Sequence, residues 1–159
     1  ENVMEIILTD RKYSDKQLAA IGSNRSWTNL KKLNLSRNKL TDVCGRIIGN
    51  NTAWCNLEEL DLSRNQLEKE SGIAIGKNSC WEKLTILNLE NNKIGIEGGC
   101  LIGSNTTWVN LQLLNLKSNL IRDQGTVALS KSKTWTNLQD LCLCNNSIPI
   151  AGAAALSEN

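Results

Sequence analysis

The tryptophans of this chain are spaced by a constant interval. All five stand 27 residues apart, at Trp27, Trp54, Trp81, Trp108 and Trp135. A leucine three residues after each tryptophan and an asparagine eleven residues after it keep the same interval. A fixed period of this length is typical of repeat architectures, in which each repeat is one structural unit stacked on the next. The interval therefore constrains the fold more than any other feature of the chain.

An earlier repeat without a tryptophan opens the chain. Counting back one interval from Leu30, Leu33 and Leu35 leads to Val3, Ile6 and Leu8. We therefore expect one domain over residues 1–159, made of six repeats that start near residues 3, 30, 57, 84, 111 and 138. The sixth repeat ends before its own tryptophan position, which favours a fragment of a longer array.

Each repeat contains a strand signal followed by a helix signal. Leu33-Asn34-Leu35 alternates apolar and polar residues, which indicates a short half-buried strand. Thr41 and Asp42 are suited to the start of a helix, by capping its N-terminus or favouring its dipole. The small residues Gly45, Gly72 and Gly99 predict a closely packed helix face. We expect a second set of glycines to end the helices in the left-handed conformation: Gly22, Gly49, Gly76 and Gly103.

Such helices have only about two turns and are not stable alone, so each repeat must pack on its neighbours. Parallel strands stack at about 4.8 Å, whereas helices are about 10 Å across. Stacking both side by side forces the array to curve. The predicted fold is an α/β solenoid shaped as a horseshoe arc, with a parallel sheet on the concave face and helices on the convex face.

The pattern LxxLxLxxNx(L/I)xxxG resembles the leucine-rich repeat, and its 27-residue length with a helical second half is similar to the ribonuclease-inhibitor subtype. That resemblance implies a solenoid used for protein recognition in inhibitors, GTPase-activating proteins, immune receptors and bacterial proteins. The junction Thr-Trp-x-Asn-Leu, at 107–111 and 134–138, is similar to repeats of host-associated intracellular bacteria. It implies an effector delivered into host cells.

The residues that recur are expected to form the interior. Leucines at the positions of Leu30, Leu33, Leu35 and Leu40 would fill it in layers. The asparagines at the position of Asn38 would form a hydrogen-bonded ladder that satisfies backbone groups. Each tryptophan would bury about 150 to 250 Å² in a stacked internal column.

The residues that vary between repeats remain available for binding. We predict a protein partner on the concave face, with Ile86, Leu113 and Cys142 in adjacent repeats as the best apolar anchor. The predicted partner-binding residues are Lys32, Asn34, Glu59, Asp61, Arg64, Ile86, Asn88, Glu90, Leu113, Asn115, Lys117, Asp140 and Cys142. Alternative functions are a GTPase-activating or a ribonuclease-inhibitor-type regulator.

The composition argues against several other functions. The chain has no histidine, the commonest general base, and its net charge of +2 is small for a nucleic-acid-binding protein. We therefore expect no enzyme activity, cofactor, metal, nucleic acid or small-molecule substrate, and the short apolar runs predict no membrane association. The six cysteines share no common spacing, so we expect free thiols in a reducing compartment, either the cytoplasm or a host cytosol.

Overall fold

The computed structural model describes residues 2–157. Within that range each repeat contributes one strand and one helix. The strands are β1 (Glu5–Ile7), β2 (Lys32–Asn34), β3 (Glu59–Asp61), β4 (Ile86–Asn88), β5 (Leu113–Asn115) and β6 (Asp140–Cys142). The helices are α1 (Asp15–Gly22), α2 (Asp42–Gly49), α3 (Lys69–Gly76), α4 (Gly95–Gly103), α5 (Arg122–Ser130) and α6 (Ile150–Ser157). None of these helices is long and apolar enough to cross a membrane.

All strands pair in parallel, in the order of the chain. The register advances by one repeat at each step, so that Leu33 lies beside Leu60 and Leu60 beside Leu87. The middle residue of each strand from β2 to β5 is buried, and the two flanking residues are half-buried on the other face. The structure confirms the predicted α/β solenoid arc, with the sheet on its concave face and the helices on its convex face.

The predicted tryptophan column is confirmed. Trp54, Trp81 and Trp108 are fully buried, and Trp135 is nearly so. Trp27 is only half-buried, because no tryptophan precedes it in the column. The indole N–H groups of the four buried tryptophans have no acceptor in the described part of the chain. Hydrophobic burial of such large side chains, worth about 4 to 6 kcal/mol each, outweighs the cost of an unpaired N–H, about 1 to 3 kcal/mol.

The predicted asparagine ladder is also confirmed, and each of its members joins neighbouring repeats. Asn92 Nδ2 donates to the carbonyl of Leu62 in the preceding repeat, at 3.0 Å, and to that of Leu89 in its own repeat. Its Oδ1 accepts from the backbone N–H of Leu67, also in the preceding repeat, at 3.0 Å. Asn38, Asn65, Asn119 and Asn146 have equivalent bonds.

A second asparagine ladder lies after the helices. Asn78 Nδ2 donates to the carbonyl oxygens of Gly49 and Asn51, and its Oδ1 accepts from the N–H of Cys80. Asn51 and Asn105 do the same in their repeats. The sequence places these residues in a turn, but it does not reveal that their amides connect successive repeats.

The expectation of left-handed glycines at the helix ends is wrong. Gly95 is the one glycine with a positive φ among residues 2–157. Close packing against the next helix explains the glycines that end α2, α3 and α4, which are Gly49, Gly76 and Gly103. A Cβ added to Gly49 would lie 2.7 Å from the carbonyl carbon of Ala74 in the next helix. The backbones of adjacent helices therefore approach closely at these positions, in addition to the predicted glycine face of Gly45, Gly72 and Gly99.

The acidic residue that opens a helix caps the helix of the next repeat. Thr41 is the N-cap of α2, and its side chain accepts from the N–H of Val43, as predicted. Asp42, however, reaches forward to α3 and accepts from the N–H groups of Glu68, Glu70 and Ser71, and from the Ser71 hydroxyl. Asp15 accepts from Thr41 and Cys44 in the same way.

This inter-repeat cap is missing at α6. Asp123 occupies the position of Asp15 and Asp42, but its buried Oδ1 has no partner among the described residues. Pro149 stands where Thr41 stands in repeat 2, and proline has no N–H to donate. The sequence change at Pro149 therefore explains the unpaired oxygen.

The expectation that all cysteines are free thiols is wrong for one pair. Cys55 and Cys80 form a disulfide, with their Cα atoms 4.9 Å apart. Cys55 follows the tryptophan of one repeat and Cys80 precedes the tryptophan of the next, so stacking brings the two positions together. Cys44, Cys100, Cys142 and Cys144 are free.

Candidate functional site

A hollow of about 310 Å³ lies on the concave face of the sheet and spans β1 to β5. We call it the concave hollow. The side chains that face outward on either side of each buried strand leucine supply most of its walls. Its lining residues are Glu5, Ile7, Lys32, Leu33, Asn34, Glu59, Leu60, Asp61, Ile86, Asn88, Leu113 and Asn115.

Eight of the thirteen predicted partner-binding residues line this hollow. They are Lys32, Asn34, Glu59, Asp61, Ile86, Asn88, Leu113 and Asn115. Ile86 and Leu113 are direct partners in the register of β4 and β5, so the predicted apolar pair is contiguous. Both are half-buried, which leaves apolar surface in contact with solvent.

The last residue of each strand has a structural task as well. Asn34, Asn88 and Asn115 each accept, through Oδ1, a hydrogen bond from the backbone N–H two residues later. Asp61 does the same with the N–H of Ser63, at 2.8 Å. Such bonds replace the sheet ladder where the strand ends. The side chains that we assigned to partner binding thus also end the strands.

Basic side chains of the second repeat are paired with acidic side chains of the third. Lys32 Nζ lies 2.7 Å from Glu59 Oε1, and Lys31 Nζ lies 2.8 Å from Glu58 Oε1. The hydrogen bond to Glu59 and the negative charge of that carboxylate raise the pKa of Lys32 above its ordinary value. Lys32 therefore carries a full positive charge, most of whose field is offset by Glu59.

Three predicted residues form a separate charged group beyond the hollow. Glu90 Oε1 lies 3.2 Å from the Arg64 guanidinium and 3.6 Å from Lys117 Nζ. These three side chains belong to successive repeats and cross the sheet at the carboxyl ends of β3 to β5. Exposed ion pairs of this kind contribute little to stability, about 0 to 1 kcal/mol each.

Asp140 and Cys142 do not reach the concave hollow. They belong to the edge strand β6, where Asp140 pairs with Leu113 and Cys142 with Asn115. The expected apolar row of Ile86, Leu113 and Cys142 is therefore broken, because an aspartate stands beside Leu113. The apolar surface on this side is therefore limited to Ile86 and Leu113, and the polar outward residues of β2 and β3 separate it from Ile7 on β1.

Four residues that line the hollow were missing from the predicted set. Leu33 and Leu60 are core leucines, and Glu5 and Ile7 lie on β1, in register with Lys32 and Asn34. Ile7 is 57% exposed. The 27-residue interval that identified the other lining residues identifies Glu5 and Ile7 equally well.

The described residues offer little for catalysis. Among them, no group of three or more cysteine, aspartate or glutamate side chains is arranged to hold a metal ion. Burial and the charge of Asp15 raise the pKa of the Cys44 thiol to about 12, which keeps it protonated at neutral pH. Burial and the charge of Glu97 likewise raise the pKa of Cys100. The geometry instead provides an open surface with apolar, amide and charged groups.

Comparison with known families agrees with the repeat structure. Residues 28–43, 55–76 and 82–102 match the family model described as Leucine Rich repeat. These segments fall in the second, third and fourth repeats. Comparison with curated proteins finds no match.

Proposed function

Because this chain carries leucine-rich repeats, which generally serve protein interaction and are typically not catalytic, we propose that it binds a partner protein through the concave face of its sheet. The observation that carries the proposal is the concave hollow, where Ile7, Ile86 and Leu113 present apolar surface between polar side chains. Interfaces have this arrangement, with an apolar centre and a polar rim.

The ion pairs around the hollow also favour binding of a partner through its apolar side chains. Lys32 is paired with Glu59, and Glu90 is paired with Arg64 and Lys117. A partner held by charge alone would have to break these pairs. Contact with the half-buried Ile86 and Leu113 requires no such loss, and it removes apolar surface from water.

The parent protein that we propose is a bacterial effector, with this chain as its recognition part. The Thr-Trp-x-Asn-Leu junctions at 107–111 and 134–138 favour that assignment. The partner would then be a protein of the host cytosol.

The test compares capture of proteins from a host-cell lysate by three forms of the chain. The variant Ile86→Glu/Leu113→Glu places two charges in the hollow. We expect it to capture about tenfold less protein than the unmodified chain, because each buried unpaired charge costs several kcal/mol. The matched control is Val43→Glu/Val109→Glu, which makes the same chemical change at two exposed valines outside the hollow.

Circular dichroism and thermal unfolding would verify that both variants fold. The control should capture the same proteins as the unmodified chain. Equal capture by the folded Ile86→Glu/Leu113→Glu variant would refute binding through the concave face.

A further inference from the structure

The concave hollow has a negative charge as well as an apolar floor. Its lining includes three carboxylates, from Glu5, Glu59 and Asp61, and one ammonium group, from Lys32. Because Lys32 pairs with Glu59 at 2.7 Å and stands in register with Glu5, the carboxylate that lacks a facing cation is that of Asp61. Asp61 has no ion pair within residues 2–157.

The charge of Asp61 is not needed for the fold. Its Oδ1 accepts the N–H of Ser63, but Asn34 and Asn88 perform the same task with an amide oxygen in the adjacent repeats. Its neighbours in the sheet are these two asparagines, so no cation faces it across either strand. A structural requirement thus explains the oxygen of Asp61 but not its negative charge.

We infer that the concave hollow receives an arginine side chain of the partner protein. This inference rests on the proposed function and names the chemistry of its anchor. The aliphatic stem of arginine would cover Ile86 on β4, and its guanidinium would meet the carboxylate of Asp61 on the adjacent strand β3. An anionic or purely apolar side chain would leave this carboxylate repelled or without a partner.

Arginine fits this hollow better than lysine. Guanidinium is more weakly hydrated than ammonium, so it loses less on entering a half-buried site. Its planar group carries several donors and can bind a carboxylate through two parallel hydrogen bonds, whereas lysine acts as a point charge. Arginine is also among the residues enriched at the centres of protein interfaces.

The test uses N-acetyl-arginine methylamide as the probe and follows the backbone amide signals of the full chain by NMR. The neutral match is N-acetyl-citrulline methylamide, which has nearly the same shape as arginine, and N-acetyl-lysine methylamide tests the alternative cation. We expect the arginine probe to shift signals of β3 to β5 with a millimolar dissociation constant, and citrulline to bind about tenfold more weakly.

The variant Asp61→Asn removes the charge and keeps the oxygen that accepts from Ser63. It should fold normally, because it reproduces the residue of the neighbouring repeats. It should raise the dissociation constant of the arginine probe about tenfold. Asp61→Ala is not an adequate substitute, because it also removes the strand-ending hydrogen bond from the N–H of Ser63.

The inference would be overturned if up to about 50 mM of the arginine probe, on the order of the weakest fragment affinity, shifted no signals. It would also be overturned if the citrulline probe bound as tightly as the arginine probe or the lysine probe bound more tightly. A fourth contrary outcome is unchanged binding of the arginine probe by Asp61→Asn. Lysate capture separates this inference from the proposed function. If Asp61→Asn captures the same proteins as the unmodified chain while Ile86→Glu/Leu113→Glu loses them, the binding face stands and the arginine anchor fails.

Discussion

Glycine has two different physical roles in this chain. At Gly49 the conformation is ordinary, but an added Cβ would lie 2.7 Å from backbone atoms of α3. At Gly95 the space is open, with nothing within 4 Å of an added Cβ, but φ is +72°. The first glycine is required by the neighbouring repeat, whereas the second is favoured by its own backbone, although Arg122 adopts a positive φ at the equivalent position.

We predict that the two glycines differ in their tolerance of alanine. Gly49→Ala should lower the free energy of unfolding by about 3 kcal/mol, because the helices of two repeats must move apart. Gly95→Ala should cost about 1 kcal/mol, the strain of a left-handed residue. Urea unfolding measures both. Equal losses would contradict the distinction between packing and backbone conformation.

At the scale of elements, α2 and α3 each depend on an aspartate of the repeat before them. Asp42 opens α2 and yet caps α3, since it accepts from the N–H groups of Glu68 and Ser71. Burial opposes ionisation of this carboxyl, but the Ser71 hydroxyl and the backbone N–H groups outweigh it, and the pKa of Asp42 lies below its ordinary value. The short helices are thus held by side chains outside their own repeat.

This lowered pKa predicts how stability depends on pH. A carboxyl whose pKa is lower in the folded state stabilises fully above its unfolded pKa of about 3.9, and the contribution is lost as pH falls through the folded pKa. Asp42→Asn should therefore lower the free energy of unfolding by about 1 to 2 kcal/mol at pH 7. The difference from the unmodified chain should shrink below pH 4.

Thermal or urea unfolding at several pH values measures this difference. The control is Asp10→Asn, at an exposed aspartate that tolerates the left-handed conformation as asparagine. Its effect should be near zero across the same range. A loss for Asp42→Asn that persists at pH 2.5, well below the ordinary aspartate pKa of about 3.9, would show that the carboxylate charge is not the cause.

At the scale of the whole molecule, contacts between consecutive repeats supply most of the cohesion. The two asparagine ladders, the aspartate caps and the tryptophan column all connect one repeat to the next. The disulfide between Cys55 and Cys80 adds one covalent link of this kind, across a sequence separation of 25 residues. We expect it to stabilise the array by restricting the unfolded chain.

We predict that removing this disulfide lowers stability without changing the fold. Cys55→Ser/Cys80→Ser should reduce the free energy of unfolding by about 3 kcal/mol, the value for a closed loop of this length. A reducing agent should produce the same loss in the unmodified chain and no further loss in the double variant. Thiol titration of the denatured, unreduced chain should find four free thiols. Six free thiols would contradict the disulfide.

The repeat interval determined the architecture and the core without tertiary information. A constant 27-residue step fixes which residues become neighbours, so Leu33, Leu60 and Leu87 had to lie side by side once the repeats stack. The same step predicted the tryptophan column, the asparagine ladder at Asn38 and the contact of Ile86 with Leu113. These features depend only on equivalent positions, which the sequence displays directly.

Contacts between residues that occupy different positions in their repeats were decided by the tertiary structure. The Cys55–Cys80 disulfide, the forward reach of Asp42 and the close approach at Gly49 each depend on how far one repeat is displaced against the next. The concave hollow, which brings side chains of five strands together, depends on the curvature of the sheet. Sequence periodicity specifies which residues are equivalent, whereas offsets, curvature and charge compensation arise only when the repeats pack in three dimensions.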